Sequence, residues 1–168
     1  MIDLSRKILI NNWLQNKLIN HENGLILDDR DFNCFPLIQD FLAANDHPLK
    51  TTAIYYEAFP EESATEFIDL LQEEIMAKLG STEVNHQKPL PEILMEAGLK
   101  MVIIDRCYLH PQDTLNNLLE QLSNCNVCLI LIGLYDQMKL AQIIDHPTIC
   151  QWDRFSVNSH CESLSQVF

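Results

Sequence analysis

Four carboxylates occupy positions where they could perform chemistry. Three of them follow the first predicted strand, residues 25–28, and the fourth ends another apolar strand, residues 101–105. They are Asp28, Asp29, Asp31 and Asp105. Because parallel strands of an open α/β sheet point their carboxyl ends at the usual ligand crevice, such acids could hold Mg²⁺ there. One hypothesis is therefore a Mg²⁺-dependent phosphotransfer or phosphatase-like enzyme that uses Asp28, Asp29 and Asp105.

The acidic segment also has a structural interpretation. Carboxylates just before a helix, here predicted at 36–45, stabilise its N-terminus by about 0.3–1 kcal/mol each. Asp29 and Asp31 have the Asp-x-Asp spacing of haloacid-dehalogenase-like phosphatases, but Asn33 stands where those enzymes carry threonine. We favour loop charge over a metal site, and we expect neither a catalytic residue nor a cofactor.

The same segment has the layout of a phosphate-binding loop. A strand, eight residues (28–35) and a helix match the Walker A pattern GxxxxGK[ST]. Asp28 replaces the first glycine, Asn33 and Cys34 replace Gly-Lys, and Phe35 replaces the hydroxyl residue. A phosphate cradle needs glycines for close backbone N–H groups and a lysine for charge. A working nucleotide site would depend on Arg30 among the acids, so we predict no useful ATP or ADP binding.

Helices and strands alternate along the chain that carries these residues. Apolar positions at helical spacing predict helices at 4–20, 36–45, 64–79, 91–97, around 115–122 and at 135–144. Apolar and β-branched runs predict strands at 25–28, 51–57, 101–105, 127–132 and 155–157. We predict an α/β three-layer sandwich with a mostly parallel central sheet. Strand one should adjoin strand three or four, with Asp28 near Asp105, and Gly24 should cap the N-terminal helix.

The order of these features from Trp13 to about Val157 resembles the core of AAA+ and STAND-like P-loop ATPases, especially the transposition-helper branch. Residues 101–106 are similar to a Walker B strand, in which Asp105 matches the first acid and Arg106 stands in place of the catalytic glutamate. Gly133 fills the place of the polar sensor residue. The resemblance implies a P-loop NTPase-like fold whose Walker A and Walker B catalytic residues are lost.

The resemblance also organises the chain as a single α/β domain over residues 1–168. The N-terminal helix covers 4–20, the P-loop-like core covers 25–157, and a tail covers 158–168. The chain ends near the point where a helical lid domain begins in that family, so we expect no lid.

Composition narrows the range of partners. A formal net charge of -13 disfavours direct binding to nucleic acid, which requires Lys and Arg against phosphates. No apolar run approaches a membrane span, and the N-terminus lacks a secretory signal pattern, so we expect a cytoplasmic protein that does not bind membranes. Cys125 and Cys128 have the spacing of a zinc or redox half-site, but we favour structural thiols. His110, beside Pro111, is predicted in a turn.

Two surfaces could bind a protein partner. The N-terminal helix carries Trp13 within an apolar stripe, which either meets a partner or simply packs on the sheet. If it packs, the helix at 64–79 is the better docking face, with Glu66 and Glu73 as its key residues. The acids around that helix are read as one solvated helical face; they are Glu61, Glu62, Glu66, Glu73 and Glu74. We therefore favour a non-enzymatic, regulatory pseudo-ATPase that binds a protein, either an ATPase or a second copy of itself.

Overall fold

A five-stranded sheet forms the centre of the protein. The computed structural model describes residues 4–28, 33–45, 52–80 and 88–156. Its strands are β1 (Gly24–Asp28), β2 (Ala53–Glu57), β3 (Met101–Asp105), β4 (Cys128–Leu134) and β5 (Asp153–Ser156). They lie in the order β2-β3-β4-β1-β5, and every neighbouring pair is parallel. The predicted parallel sheet is confirmed, and β1 lies between β4 and β5.

Six α-helices accompany the sheet in the described residues. They are α1 (Leu4–Asn20), α2 (Phe35–Asn45), α3 (Ala64–Lys78), α4 (Leu90–Ala97), α5 (Gln112–Leu122) and α6 (Tyr135–Leu140), with 3₁₀ turns at Cys107–Leu109 and Ile149–Gln151. The predicted helix at 135–144 is too long, because Gln142 adopts a left-handed φ of 58° and ends the helical path. Ile143 and Ile144 are instead buried beyond the helix. No helix among the described residues combines the length and apolarity that a membrane crossing requires.

The helices cover both faces of the sheet. Alternate strand residues point into two separate apolar clusters, as the pleat of a strand requires. Ile103 lies in the cluster with the buried residues of α1 and α2. Ile104 lies in the other cluster, with the buried residues of α3, α4 and α5. The strands therefore read as continuous apolar runs because both faces are buried, and the predicted three-layer sandwich is confirmed.

Trp13 fastens α1 to the edge of the sheet. Gly24 is the first residue of β1 rather than a helix cap, so that prediction is wrong. A Cβ at Gly24 would lie 2.4 Å from Cη2 of Trp13, so only glycine admits the indole here. The Trp13 ring packs against Phe155 with centroids 5.7 Å apart, and its Nε1 donates to Asp153 at 2.9 Å. The buried Lys17 ammonium also contacts Asp153 at 2.9 Å. Of the two interpretations of the apolar stripe, the structure shows packing on the sheet.

Candidate functional site

A cleft of about 410 Å³ opens at the carboxyl ends of the strands. We call it the strand-end cleft. Its lining residues are Asp28, Asn33, Phe35, Tyr55, Glu57, Asp105, Arg106, Tyr108, Gly133 and Leu134. The predicted proximity of Asp28 and Asp105 at one edge of the sheet is confirmed. Asp29, Arg30 and Asp31 lie outside the described residues.

The N-terminus of α2 faces this cleft, and its first N–H groups are already bonded. The Cys34 N–H donates to Oδ2 of Asp28 at 3.3 Å. The Phe35 N–H donates to Oδ1 of Asn33 at 2.9 Å. In a phosphate-binding loop, such N–H groups point at the anion. Here the chain's own side chains take them, and the Asp28 carboxylate would repel a phosphate at the same place.

Asp105, which the sequence analysis compares with the first Walker B acid, is also bonded within the protein. The Tyr55 hydroxyl donates to Asp105 Oδ2 at 2.5 Å, and the Arg106 N–H donates to Oδ1 at 2.7 Å. Burial raises the pKa of Tyr55, and the hydrogen bond to Asp105 raises it further, so the phenol stays protonated. The Phe35 ring, at the position of the Walker A hydroxyl, lies 5.2 Å from the Tyr55 ring. An aromatic pair therefore stands beside the carboxylate that would support Mg²⁺ in an active member.

The Arg106 guanidinium in the strand-end cleft forms an ion pair with Glu57. Its Nε lies 3.2 Å from Oε1 of Glu57. Its backbone has a left-handed φ of 53°, a conformation that side chains other than glycine, asparagine and aspartate seldom adopt. Among the described lining residues, Arg106 is the single cation against the carboxylates of Asp28, Glu57 and Asp105. The net charge of this lining therefore disfavours a nucleotide phosphate.

Burial raises the pKa of four thiols, which makes them poor nucleophiles; they are Cys34, Cys107, Cys125 and Cys128. Burial raises the pKa of Cys34, and the neighbouring Asp28 and Asp105 carboxylates raise it further, so the thiol at the Walker lysine position is not a nucleophile. Cys128 is buried on the face of the sheet covered by α1 and α2, whereas Cys125 packs on the opposite face. Within residues 4–28, 33–45, 52–80 and 88–156, no three His, Cys, Asp or Glu side chains are arranged to hold a metal.

A second polar cluster, which the sequence analysis missed, lies under the loop between β2 and α3. Glu62 is only 6% exposed, so its assignment to a solvated helical face is wrong. Its carboxylate accepts hydrogen bonds from the Tyr56 hydroxyl and, at 3.3 Å, from the Phe59 N–H. It lies 2.7 Å from Nε2 of His110, and the His110 ring packs on Phe67 with centroids 4.3 Å apart. Glu62 precedes α3 and turns inward because these partners satisfy its carboxylate. No local sequence pattern indicated this burial.

The Glu62–His110 pair predicts a pH dependence of stability. Burial lowers the pKa of His110 below its ordinary value of 6.5, and the hydrogen bond to Glu62 opposes that shift. The unfolded chain then binds the proton more readily than the folded protein does. The free energy of unfolding should therefore fall as the pH drops below about 6.5, and His110→Gln should flatten that part of the profile. Urea denaturation at a series of pH values measures how the free energy of unfolding changes with pH in the wild type and in His110→Gln. Equal slopes in the two proteins would contradict the lowered pKa of His110.

An apolar ridge with acidic sides lies above the buried Glu62. Phe59 is 57% exposed and Leu70 is 38% exposed, and both line two adjoining hollows. The larger hollow, about 580 Å³, is completed by Pro60, Glu61, Glu62, Glu66 and Asp69. The smaller, about 280 Å³, is completed by Tyr56, Glu73, Glu74 and Ala77. We call this surface the acidic groove. Glu66 lines its larger hollow and Glu73 its smaller one; these are two of the three residues predicted for interaction, with Trp13.

Comparison with known proteins supports the fold. No family model and no curated protein matches the sequence. A solved chain that does match belongs to the structure of Drosophila ORC bound to AT-rich DNA and Cdc6, with a TM-score of 0.60 and 15% identity. The alignment covers 90% of this chain and 53% of that chain, so this chain spans about half of its length. The likeness shows an AAA+-like, P-loop NTPase-like fold and nothing finer. Membership of the transposition-helper branch stays a prediction.

Proposed function

We propose that this chain is a non-catalytic, P-loop-like domain, a pseudo-ATPase that acts in a regulatory role by binding another protein. One observation carries the proposal: in the strand-end cleft, the groups that would hold nucleotide and Mg²⁺ are already bonded to other groups of this chain. Asp28 accepts from the start of α2, Tyr55 donates to Asp105, and Arg106 pairs with Glu57.

Nucleotide binding would have to replace these contacts at a net cost. A triphosphate entering the cleft would lie beside three carboxylates, and its Mg²⁺ would have to displace the Tyr55 hydroxyl from Asp105. The Tyr55 hydroxyl would then lose a hydrogen bond, and a typical one contributes about 0.5–1.5 kcal/mol to stability. A lysine and a glycine-rich backbone normally offset such costs, and neither occupies its Walker position in this sequence.

The partner we propose is a protein, either an ATPase or a second copy of this chain. The Drosophila assembly that supplies the matching chain contains AT-rich DNA and Cdc6. Direct contact with DNA is a poor proposal for the present chain, because 24 acidic residues outweigh 11 basic ones. A protein surface is free of that restriction, and the helices of a P-loop fold offer rigid faces for docking.

Millimolar Mg-ATP or Mg-ADP should leave the melting temperature unchanged. A ligand at a hundredfold excess over its dissociation constant stabilises a protein by about 2.7 kcal/mol. For a domain of this size that is a rise of roughly 5–10 °C. Differential scanning fluorimetry of the full chain, with an active P-loop ATPase measured in parallel, tests the expectation.

A rise of that size, removed by Arg30→Ala or by Asp105→Asn, would overturn the proposal in favour of a working nucleotide site. Asp105→Asn suits this purpose because it removes the charge and nearly preserves the shape of the side chain. Its one oxygen keeps either the bond from Tyr55 or the bond from the Arg106 N–H, so the folding of this variant is checked by circular dichroism.

A further inference from the structure

The ridge of the acidic groove presents apolar side chains in a form suited to binding. Phe59 comes from the loop after β2, and Leu70 comes from the second turn of α3. Each is flanked by hollows large enough to receive a bulky side chain, about 580 Å³ on one side and about 280 Å³ on the other. Aromatic and other apolar side chains that line a concave surface are typical of a binding site.

The loop that carries the ridge is held in place before any partner arrives. The Phe59 N–H donates to the buried Glu62 carboxylate at 3.3 Å, and the Phe59 ring stands edge-on to Tyr56 with centroids 6.4 Å apart. Glu62 is itself fixed by Tyr56 and His110. A surface that is ordered in advance loses little conformational entropy on binding, so its apolar contacts translate more fully into affinity.

The rim of the acidic groove defines the charge of its ligand. Five carboxylates beside the buried Glu62 line the two hollows, and no Lys or Arg is among the described lining residues; the five are Glu61, Glu66, Asp69, Glu73 and Glu74. A hydrogen bond from the Ser63 N–H lowers the pKa of Glu66, which keeps this side chain charged. The electrostatic complement of such a rim is a cationic segment.

We propose that the acidic groove binds a basic peptide segment of a partner protein that carries one bulky apolar anchor. The anchor enters a hollow beside Phe59 and Leu70, and flanking Lys or Arg side chains face Glu66 and Glu73. A second copy of this chain is a weaker occupant, because its net charge of -13 opposes a carboxylate rim. This inference rests on the proposed function and names the partner's chemistry.

Three short synthetic peptides of equal length test the pairing of anchor and charge. The first has several lysines around one tryptophan, the second replaces the tryptophan by serine, and the third replaces the lysines by glutamates. Fluorescence anisotropy with the full chain should show the first binding about tenfold or more tighter than either of the others. Its affinity should fall as salt rises, because the rim is exposed.

Matched variants locate the binding. Phe59→Ala with Leu70→Ala should weaken the first peptide about tenfold, whereas Leu140→Ala, at a residue that is 78% exposed on α6, should not. Glu66→Gln with Glu73→Gln should weaken it and reduce its salt dependence. Glutamine at position 66 still reaches the Ser63 N–H and so preserves the helix cap. Glu92→Gln with Glu120→Gln changes the net charge equally and serves as the control.

Several outcomes would overturn the inference. They are no binding of the first peptide, equal binding of the peptide without the anchor, and equal loss in both charge variants, which would indicate general attraction to an acidic protein. The nucleotide measurement is independent of this result. Peptide binding with a clear Mg-ATP effect would sink the non-catalytic function and leave the groove assignment standing. If neither the peptide nor Mg-ATP has an effect, the groove assignment is wrong and the non-catalytic function stands.

Discussion

Replacing Glu62 with alanine should lower the free energy of unfolding by about 2–4 kcal/mol, because it removes the acceptor that the buried Tyr56 and His110 side chains share. The carboxylate is 6% exposed and has three partners, the Tyr56 hydroxyl, the Phe59 N–H and Nε2 of His110. Alanine leaves the buried Tyr56 and His110 side chains without this acceptor, whereas the N–H of the exposed Phe59 can bond water instead. Each buried group left unpaired costs about 1–3 kcal/mol by itself.

Chemical denaturation followed by circular dichroism measures this loss. Glu62→Gln should cost less than Glu62→Ala, because its one amide oxygen can replace either Oε1, which accepts from Tyr56, or Oε2, which Phe59 and His110 share. Glu92→Ala removes an exposed acid from α4 and should change stability by no more than about 0.5 kcal/mol. A loss below about 1 kcal/mol in Glu62→Ala would show that the carboxylate is solvated, as its sequence context suggests.

Replacing Trp13 with alanine should lower the free energy of unfolding by about 2–4 kcal/mol. Tryptophan-to-alanine changes in a core cost about 3–5 kcal/mol, and this indole is only partly buried. The substitution removes the packing on Gly24 and Phe155 and the hydrogen bond from Nε1 to Asp153. The α1 helix should then separate from the sheet more easily.

Hydrogen exchange and denaturation together measure this effect. Protection should fall first in α1, since the indole supplies its contacts with Gly24 of β1 and Phe155 of β5. Ile19→Ala removes an α1 side chain that is 72% exposed and should alter stability by about 0.5 kcal/mol or less. An unchanged stability in Trp13→Ala, together with a lost interaction, would restore the interpretation of Trp13 as a docking residue.

The sheet was predictable because its strands are buried on both faces. A run such as 101–104 is apolar at successive positions, which an amphipathic helix or an exposed edge strand does not show. Helical spacing likewise located α1 and α3, and Ser63 with Glu66 forms the capping box that starts α3. The meeting of Asp28 and Asp105 then follows from the common direction of parallel strands.

The remainder depends on contacts between distant residues, which local patterns do not contain. Tyr55 and Asp105 are 50 residues apart, and Glu62 and His110 are 48 apart. Glu62 stands among exposed acids in the sequence, so only its three-dimensional partners distinguish it from them. Gly24 follows a helix and looks like a cap, but its role is to admit the Trp13 ring, which the sequence gives no sign of.

Tyr55 and Tyr56, which are neighbours in β2, each belong to one of the two candidate sites, the strand-end cleft and the acidic groove. Tyr55 lines the strand-end cleft and bonds Asp105, whereas Tyr56 points to the opposite face and bonds Glu62 beneath the acidic groove. The alternation of a β-strand thus assigns each tyrosine to one site. Substitutions that only remove charge in the cleft leave the groove intact, so the two sites can be tested separately in one protein.

Quantitative affinity capture from the native cell with three baits tests the central claim, that function runs through a protein interface and not through the strand-end cleft. The baits are the wild-type chain, the cleft variant Asp28→Asn with Asp105→Asn, and the groove variant Phe59→Ala with Leu70→Ala, all confirmed to be folded. We expect the cleft variant to recover the same proteins as the wild type, and the groove variant to lose them. Retention by the groove variant, with loss from the cleft variant, would contradict the account.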